Sequence, residues 1–246
     1  MSKYKIMDEN YLKSSLDELS KRWQIDPVIY EITLGKRNDV KDTAVEVNDV
    51  IFHIPTLTDD NSYVLWKCLW PDCHNCCEKQ GRLPLTINDI ESISEKLAYT
   101  KSDFVDKETK ISTWTESEPF GAISTTMSMI SLKRREDETD EQDGKPLSCR
   151  FLDNVGYCKL HPQRPGCCQM YPFASWTTIH NGKPQVHATF QFDGNCPGFY
   201  VSKSLEDMEE VLKDYSKRII DYNMAVNRTT REGYGFISIV DLRSRP

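Results

Sequence analysis

Two cysteines stand side by side at Cys76 and Cys77, and they constrain this chain more than any other feature. They close the run Cys68-Leu69-Trp70-Pro71-Asp72-Cys73-His74-Asn75-Cys76-Cys77, spaced C-x4-C-x2-C-C. One tight turn brings a C-x2-C pair onto a single metal ion, because the two thiolates flank a short backbone arch. Adjacent thiols behave differently. Neighbouring Cβ atoms diverge in most backbone conformations, so Cys76 and Cys77 do not readily chelate one ion. The doublet therefore favours two nearby metal sites or a polynuclear cluster over one mononuclear site. Cys149, Cys158, Cys167 and Cys168 form a second group, Cys196 stands alone, and no cysteine lies outside 68–196.

The count of nine cysteines is odd, which speaks against a disulfide framework and for the reducing cytosol. The first residues, MSKYKIMDENYLKSS, turn acidic and polar before any apolar core, so no signal peptide is expected. No apolar run approaches a membrane span. The expected location is cytoplasmic, with no membrane association. The formal net charge of −7 argues against nucleic-acid binding, which needs a basic footprint. A length of 246 residues suits one domain with extensions, or two small domains. The organisation expected is an N-terminal helix-and-strand extension over 1–62, a cysteine-rich metal-binding domain over 63–200, and a C-terminal helix and tail over 201–246.

Residues 8–23 read as an amphipathic helix, with Leu12, Leu16, Leu19 and Trp23 at helical spacing. Pro27 opens a second short helix that Gly35 ends. Residues 44–54 suggest one strand closed by Pro55, and His53 within it reads as an ordinary strand histidine. Residues 63–67 form a short strand feeding the first cysteine loop. Thr86 with Asp89 predicts a near-capping box before a helix over Ile87–Tyr99. Thr100 or Ser102 starts a further helical turn, and TTMSMISLK reads as a strand. The acidic run 134–144 reads as an exposed loop. Cys149–Leu152 and Tyr157–Leu160 suggest two short strands about a turn at Asn154-Val155-Gly156. Phe173–Ile179 and Gln185–Phe192 suggest a hairpin through His180-Asn181-Gly182-Lys183. A long helix is expected over 204–226, and Phe236–Val240 as an edge strand. The class expected is α+β: a small irregular strand-and-loop core around a cysteine metal centre, with helices at both ends.

The order of the motifs carries a resemblance. C-x4-C-x2-C-C is followed by Cys149 and Cys158, then Arg164-Pro165-Gly166-Cys167-Cys168-Gln169-Met170-Tyr171-Pro172-Phe173, then Cys196-Pro197-Gly198. This set resembles the YkgJ-like CxxCxxCC cysteine-cluster family of zinc- or iron-chelating proteins over about residues 64–200. The resemblance implies Cys68, Cys73, Cys76, Cys77, Cys149, Cys158, Cys168 and Cys196 as metal ligands, enough for two four-thiolate sites. Cys167 falls where the family has another residue, which makes it a spare thiol. A similar cluster occurs in flagellin lysine N-methylase, which implies iron–sulfur chemistry with S-adenosylmethionine. This chain is shorter than that enzyme and has no G-x-G-x-x-G nucleotide loop.

Four thiolates suit iron–sulfur and zinc alike. An all-cysteine set with a doublet favours an iron–sulfur cluster, most simply 4Fe-4S, with zinc the alternative. The guanidinium of Arg164 is a candidate donor to cluster sulfides or thiolates. His74 and His161 lie near cysteines and are read as flanking surface residues. Asp72, Asp153 and Asp193 also lie near cysteines, but carboxylates are so numerous here that this proximity carries little. Three functions follow from different classes. The first is a cluster protein in electron transfer, metal handling or cluster-dependent protein modification. The second is a zinc-stapled module that binds a protein partner. The third is an S-adenosylmethionine-dependent protein lysine methylase. No acid–base pair or nucleophile–base arrangement is visible, so enzymatic activity is left open.

Overall fold

The stretch 44–54, expected as one strand, is a hairpin. The computed structural model describes residues 9–79, 83–117, 124–135 and 148–231. In it β1 (Val40–Val47) and β2 (Val50–Leu57) pair antiparallel, from Val47↔Val50 out to Val40↔Leu57. Asn48 and Asp49 between them have φ of 48° and 65°, the left-handed pair that matches the twist of the flanking strands. Apolar residues continue on both sides of this polar pair, and neither Gly nor Pro marks the turn. The sequence therefore reads as unbroken.

The chain divides into two units, Met1–Cys76 with Met170–Ile220, and Cys77–Gln169 with the residues from Asp221 onward. The first unit is built on a six-stranded sheet. Its further strands are β3 (Ser62–Trp66), β6 (Phe173–His180), β7 (Lys183–Phe190) and β8 (Phe199–Ser202), in the order β6-β7-β2-β3-β8 with β1 also on β2. β2 and β7 run parallel through Val50↔Val186 to His53↔Thr189, while β6 and β7 form the expected hairpin. Asn181 and Gly182 in its turn both have positive φ, at 49° and 74°. Pro55 does not end β2 but sits opposite Asp42. In a hairpin closed by a hydrogen-bonded Val47↔Val50 pair, that position is a non-hydrogen-bonded one, so the proline nitrogen faces away from β1. On its other edge β2 pairs with β7 only as far as His53 and with β3 only from Thr56. No ladder donor is lost.

One face of this sheet is apolar. Phe52, Ile54, Leu65, Phe173, Ala188 and Phe190 are fully buried, each large side chain contributing about 1.5–3 kcal/mol over an exposed position. The expected N-terminal helix is α1 (Glu9–Ser20), which buries Leu12, Leu16 and Leu19. The second is α2 (Pro27–Thr33), whose N-cap Asp26 accepts from the Val28 N–H. The C-terminal helix starts as a 3₁₀ turn, Leu205–Met208, capped by Ser204, and continues as α7 (Glu209–Arg231). Met208, Leu212, Ser216 and Ile219 are buried in the first unit.

In the second unit α4 (Ile87–Lys96) carries the full capping box, Thr86 accepting from the Asp89 N–H and Asp89 from the Thr86 N–H. Helix α5 (Lys101–Glu108) is capped by Thr100 and leads into the hairpin β4 (Thr109–Ser117) and β5 (Ser124–Leu132). Ile93, Phe104, Ile130, Leu132, Phe151 and Leu160 are at the centre of its core. The two short strands expected around residue 154 are instead a tight loop with a single bridge, Leu152↔Cys158. Asp153 forms this loop, its carboxylate accepting from the N–H groups of Val155 and Tyr157. Two short helices carry cysteine doublets, α3 (Asn75–Glu78) and α6 (Gly166–Met170). The acidic run 134–144 falls almost wholly outside the described residues, and Phe236–Val240 entirely so.

Candidate metal centre

All nine cysteines are thiols, and the two units divide them. Cys68, Cys73, Cys76 and Cys196 belong to the first unit, and Cys77, Cys149, Cys158, Cys167 and Cys168 to the second.

In the first unit the C-x4-C segment is a turn in which the N–H groups of Asp72 and Cys73 both donate to the Leu69 carbonyl. Beside Cys68, the Lys67 N–H donates to the Gly198 carbonyl at 3.0 Å, which lays the first cysteine loop along Cys196-Pro197-Gly198. Gly198 is obligatory there. A Cβ on it would run into the backbone carbonyl oxygen of Lys67, with the Trp66 indole nitrogen only 3.0 Å away. That indole N–H donates to the Cys196 sulfur at 3.1 Å. Asn75, buried before the doublet, donates through its side-chain amide to the Asn195 carbonyl at 3.2 Å. Burial pushes the Cys196 thiol up to about 12, with the charges of Asp193 and Cys73 adding to it. Tyr171 is also raised, first by burial of its hydroxyl and then by the charges of Asp193, Cys196 and Cys76. Its hydroxyl donates to both Asp193 oxygens, at 3.0 and 3.1 Å. Asp193 thus has a structural partner beside the thiols, and the Asn195 N–H donates to it as well.

In the second unit the Cys149 N–H donates to the Cys77 carbonyl at 2.7 Å, and the Ser148 hydroxyl to the Glu78 carbonyl at 3.2 Å. Cys77 and Cys158 pack against the core cluster that contains Cys149. Burial pushes the Cys149 thiol up to about 12, and the charges of Cys168 and Cys158 raise it further. Cys158 is raised mainly by burial, then by Cys168, against the opposing charge of Arg164. The Arg-Pro-Gly-Cys-Cys segment is held by Asp89. One carboxylate oxygen accepts from the Thr86 N–H and hydroxyl, each at 2.8 Å, and the other from the Gly166 N–H at 2.8 Å. Gly166 is again a matter of space, since a Cβ would lie 2.5 Å from the Tyr222 ring. The Cys167 thiol donates to the Pro84 carbonyl at 3.4 Å.

Among the described residues no three His, Cys, Asp or Glu side chains converge as ligands of one ion. Their chemistry fits a thiophilic metal. A desolvated thiol stays protonated until a cation displaces the proton, and soft thiolates select zinc, copper(I) and iron–sulfur species. Two buried nitrogens beside the cysteines lack hydrogen-bond partners, His74 Nδ1 and Arg164 Nε. His74, expected at the surface, is half-buried with this nitrogen sealed from solvent. His161 is exposed. His53 lies in β2 as expected, its Nε2 3.0 Å from Nδ1 of His187. Sequence reasoning placed Asp89 only at a helix cap and missed Asn75, Trp66 and Tyr171. A buried-site role for Asp89 depends on Gly166, a residue 77 positions away, and no local pattern reports such a contact.

Cysteines delivered in two groups by hydrogen-bonded turns belong to the class of thiolate metal-chelating proteins. The family model CxxCxxCC, described as a "putative zinc- or iron-chelating domain", matches residues 67–197. That is more than half of the chain, and the chain belongs to this family. Comparison with curated proteins and with solved structures returned no match. No helix among the described residues is long and apolar enough to cross a membrane.

Proposed function

We propose that this protein holds iron as an iron–sulfur cluster through Cys68, Cys73, Cys76, Cys77, Cys149, Cys158, Cys168 and Cys196, and serves in electron transfer or metal handling. The observation that carries this reading is the pair of buried, partnerless nitrogens, His74 Nδ1 and Arg164 Nε, beside the cysteines. Desolvated polar nitrogens normally have hydrogen-bond partners, and the Arg164 Nε–H is a donor. Bridging sulfides supply acceptors beyond the protein's own thiolates, and hydrogen bonds to cluster sulfur are one of the ways a protein sets its potential. When bound, the cluster supplies one-electron redox chemistry. The residues of this chain position it: Asn75 and Trp66 around Cys196, and Asp89 around the segment bearing Cys168.

Zinc is the second reading, favoured by the tight Leu69–Cys73 turn, which suits a tetrahedral site as well. A zinc-loaded chain would be a stapled interaction module. Anaerobic purification followed by assay of iron, acid-labile sulfide and zinc per chain decides between them. Iron and sulfide in equal amounts, with broad charge-transfer absorption, are expected. A colourless protein carrying only zinc would sink the iron–sulfur reading and turn attention to protein partners.

A further inference from the structure

We infer that the chain builds two separate four-cysteine centres, Cys68, Cys73, Cys76 and Cys196 forming one and Cys77, Cys149, Cys158 and Cys168 the other. The inference rests on the metal-chelating reading and goes beyond it by assigning each thiol to a centre.

The division falls within the doublet, and the local backbone explains why. Cys76 and Cys77 lie in α3, where successive side chains project about 100° apart around the axis. Hydrogen bonds on the two sides of this turn then lead to different parts of the chain. Asn75, just before Cys76, is tied to the Asn195 carbonyl, and so to Cys196. The Cys77 carbonyl accepts from the N–H of Cys149. Each centre then completes itself from its own unit. Cys68 joins Cys196 through the Lys67–Gly198 hydrogen bond, and Cys73 folds back on Leu69 in the same loop. Cys149 belongs to the core cluster of that unit, and Cys77 and Cys158 both pack against it. Cys168 lies in the same unit as these three, in the segment that Asp89 holds through the Gly166 N–H.

Three features agree with this partition. Each set has four thiols, the number that closes a tetrahedral zinc site or a cubane cluster. Each set has its own buried, unpartnered nitrogen, His74 with the first and Arg164 with the second. The ninth thiol, Cys167, is engaged by the Pro84 carbonyl, so the second unit is left with four rather than five.

The test uses the full-length wild-type protein, reduced and metal-free, titrated with cadmium-113 and followed by NMR. Two resonances in the all-thiolate range, saturating at two ions per chain, are expected. Cys76→Ser and Cys196→Ser should each remove the same resonance, and the double variant should remove no more. Cys77→Ser and Cys149→Ser should each remove the other. One resonance, or any single substitution that removes both, overturns the partition while leaving metal chelation standing. No cadmium bound by the wild type overturns chelation itself. Should a serine variant fail to fold, the number of resonances in the wild type still decides.

Discussion

The N–H of Cys149 donates to the carbonyl of Cys77 at 2.7 Å, joining two cysteines that lie 72 positions apart in the chain through the backbone alone. The bond needs neither thiol, so the meeting of these segments is fixed before any metal arrives. The same is true of Asn75 and Asn195 beside Cys76 and Cys196. Both groups of cysteines are positioned by polar contacts that do not involve the sulfur.

Thiol reactivity should follow burial rather than sequence spacing. Cys68 and Cys76 are exposed, whereas Cys149 and Cys196 have been pushed up to about 12 by burial. At pH 8 such a thiol is ionised in only about one molecule in ten thousand. Alkylation of the reduced, metal-free protein, read by peptide mass spectrometry, is expected to label Cys68 and Cys76 first. Labelling of Cys149 and Cys196 should accelerate about tenfold per pH unit as pH rises toward 12, because only the thiolate reacts. Equal rates at all four positions at pH 8 would contradict this.

Arg164→Gln separates a metal-facing role from a structural one. The Arg164 Nε has no hydrogen-bond partner to lose within the protein. The metal-free variant is therefore expected to unfold within about 0.5 kcal/mol of wild type in urea. Metal affinity should fall by about 10- to 100-fold, as when an outer-shell donor is removed. A variant that loses metal-free stability and keeps full affinity would make the arginine structural instead.

The two glycines that flank cysteines should differ in their tolerance of alanine. At Gly198 the new methyl meets the Lys67 carbonyl, which is backbone, whereas at Gly166 it meets the ring of Tyr222. A side chain can move and a paired backbone cannot. Both changes are expected to destabilise the metal-free protein in urea by about 1–3 kcal/mol, with Gly198→Ala the larger. If both fall within about 0.5 kcal/mol of wild type, the close approaches do not exist in solution.

The local elements were open to reading from sequence because their signals are local. Leu12, Leu16 and Leu19 mark α1, Thr86 with Asp89 marks the start of α4, and Asn181-Gly182 marks the β6–β7 turn. The hairpin at Asn48-Asp49 was hidden, since a left-handed turn made without glycine leaves no mark in hydropathy. Pro55 misled for a related reason. Proline ends a strand only where its missing N–H was needed, and here β2 changes neighbours at that point.

By itself the sequence determined which atoms are available: nine thiols, a doublet that one ion cannot readily take, and the family's order of motifs. It also determined that small residues would flank the cysteines, in Arg-Pro-Gly-Cys-Cys and Cys-Pro-Gly. Only the tertiary structure decided which cysteine-bearing segments meet. Cys76 is adjacent to Cys77 in sequence, yet the two belong to different units, and Cys76 shares its unit with Cys196. That grouping follows from contacts such as Asn75 with Asn195, 120 residues apart. Contacts at that separation are set by how each unit folds on itself, and no spacing along the chain encodes them.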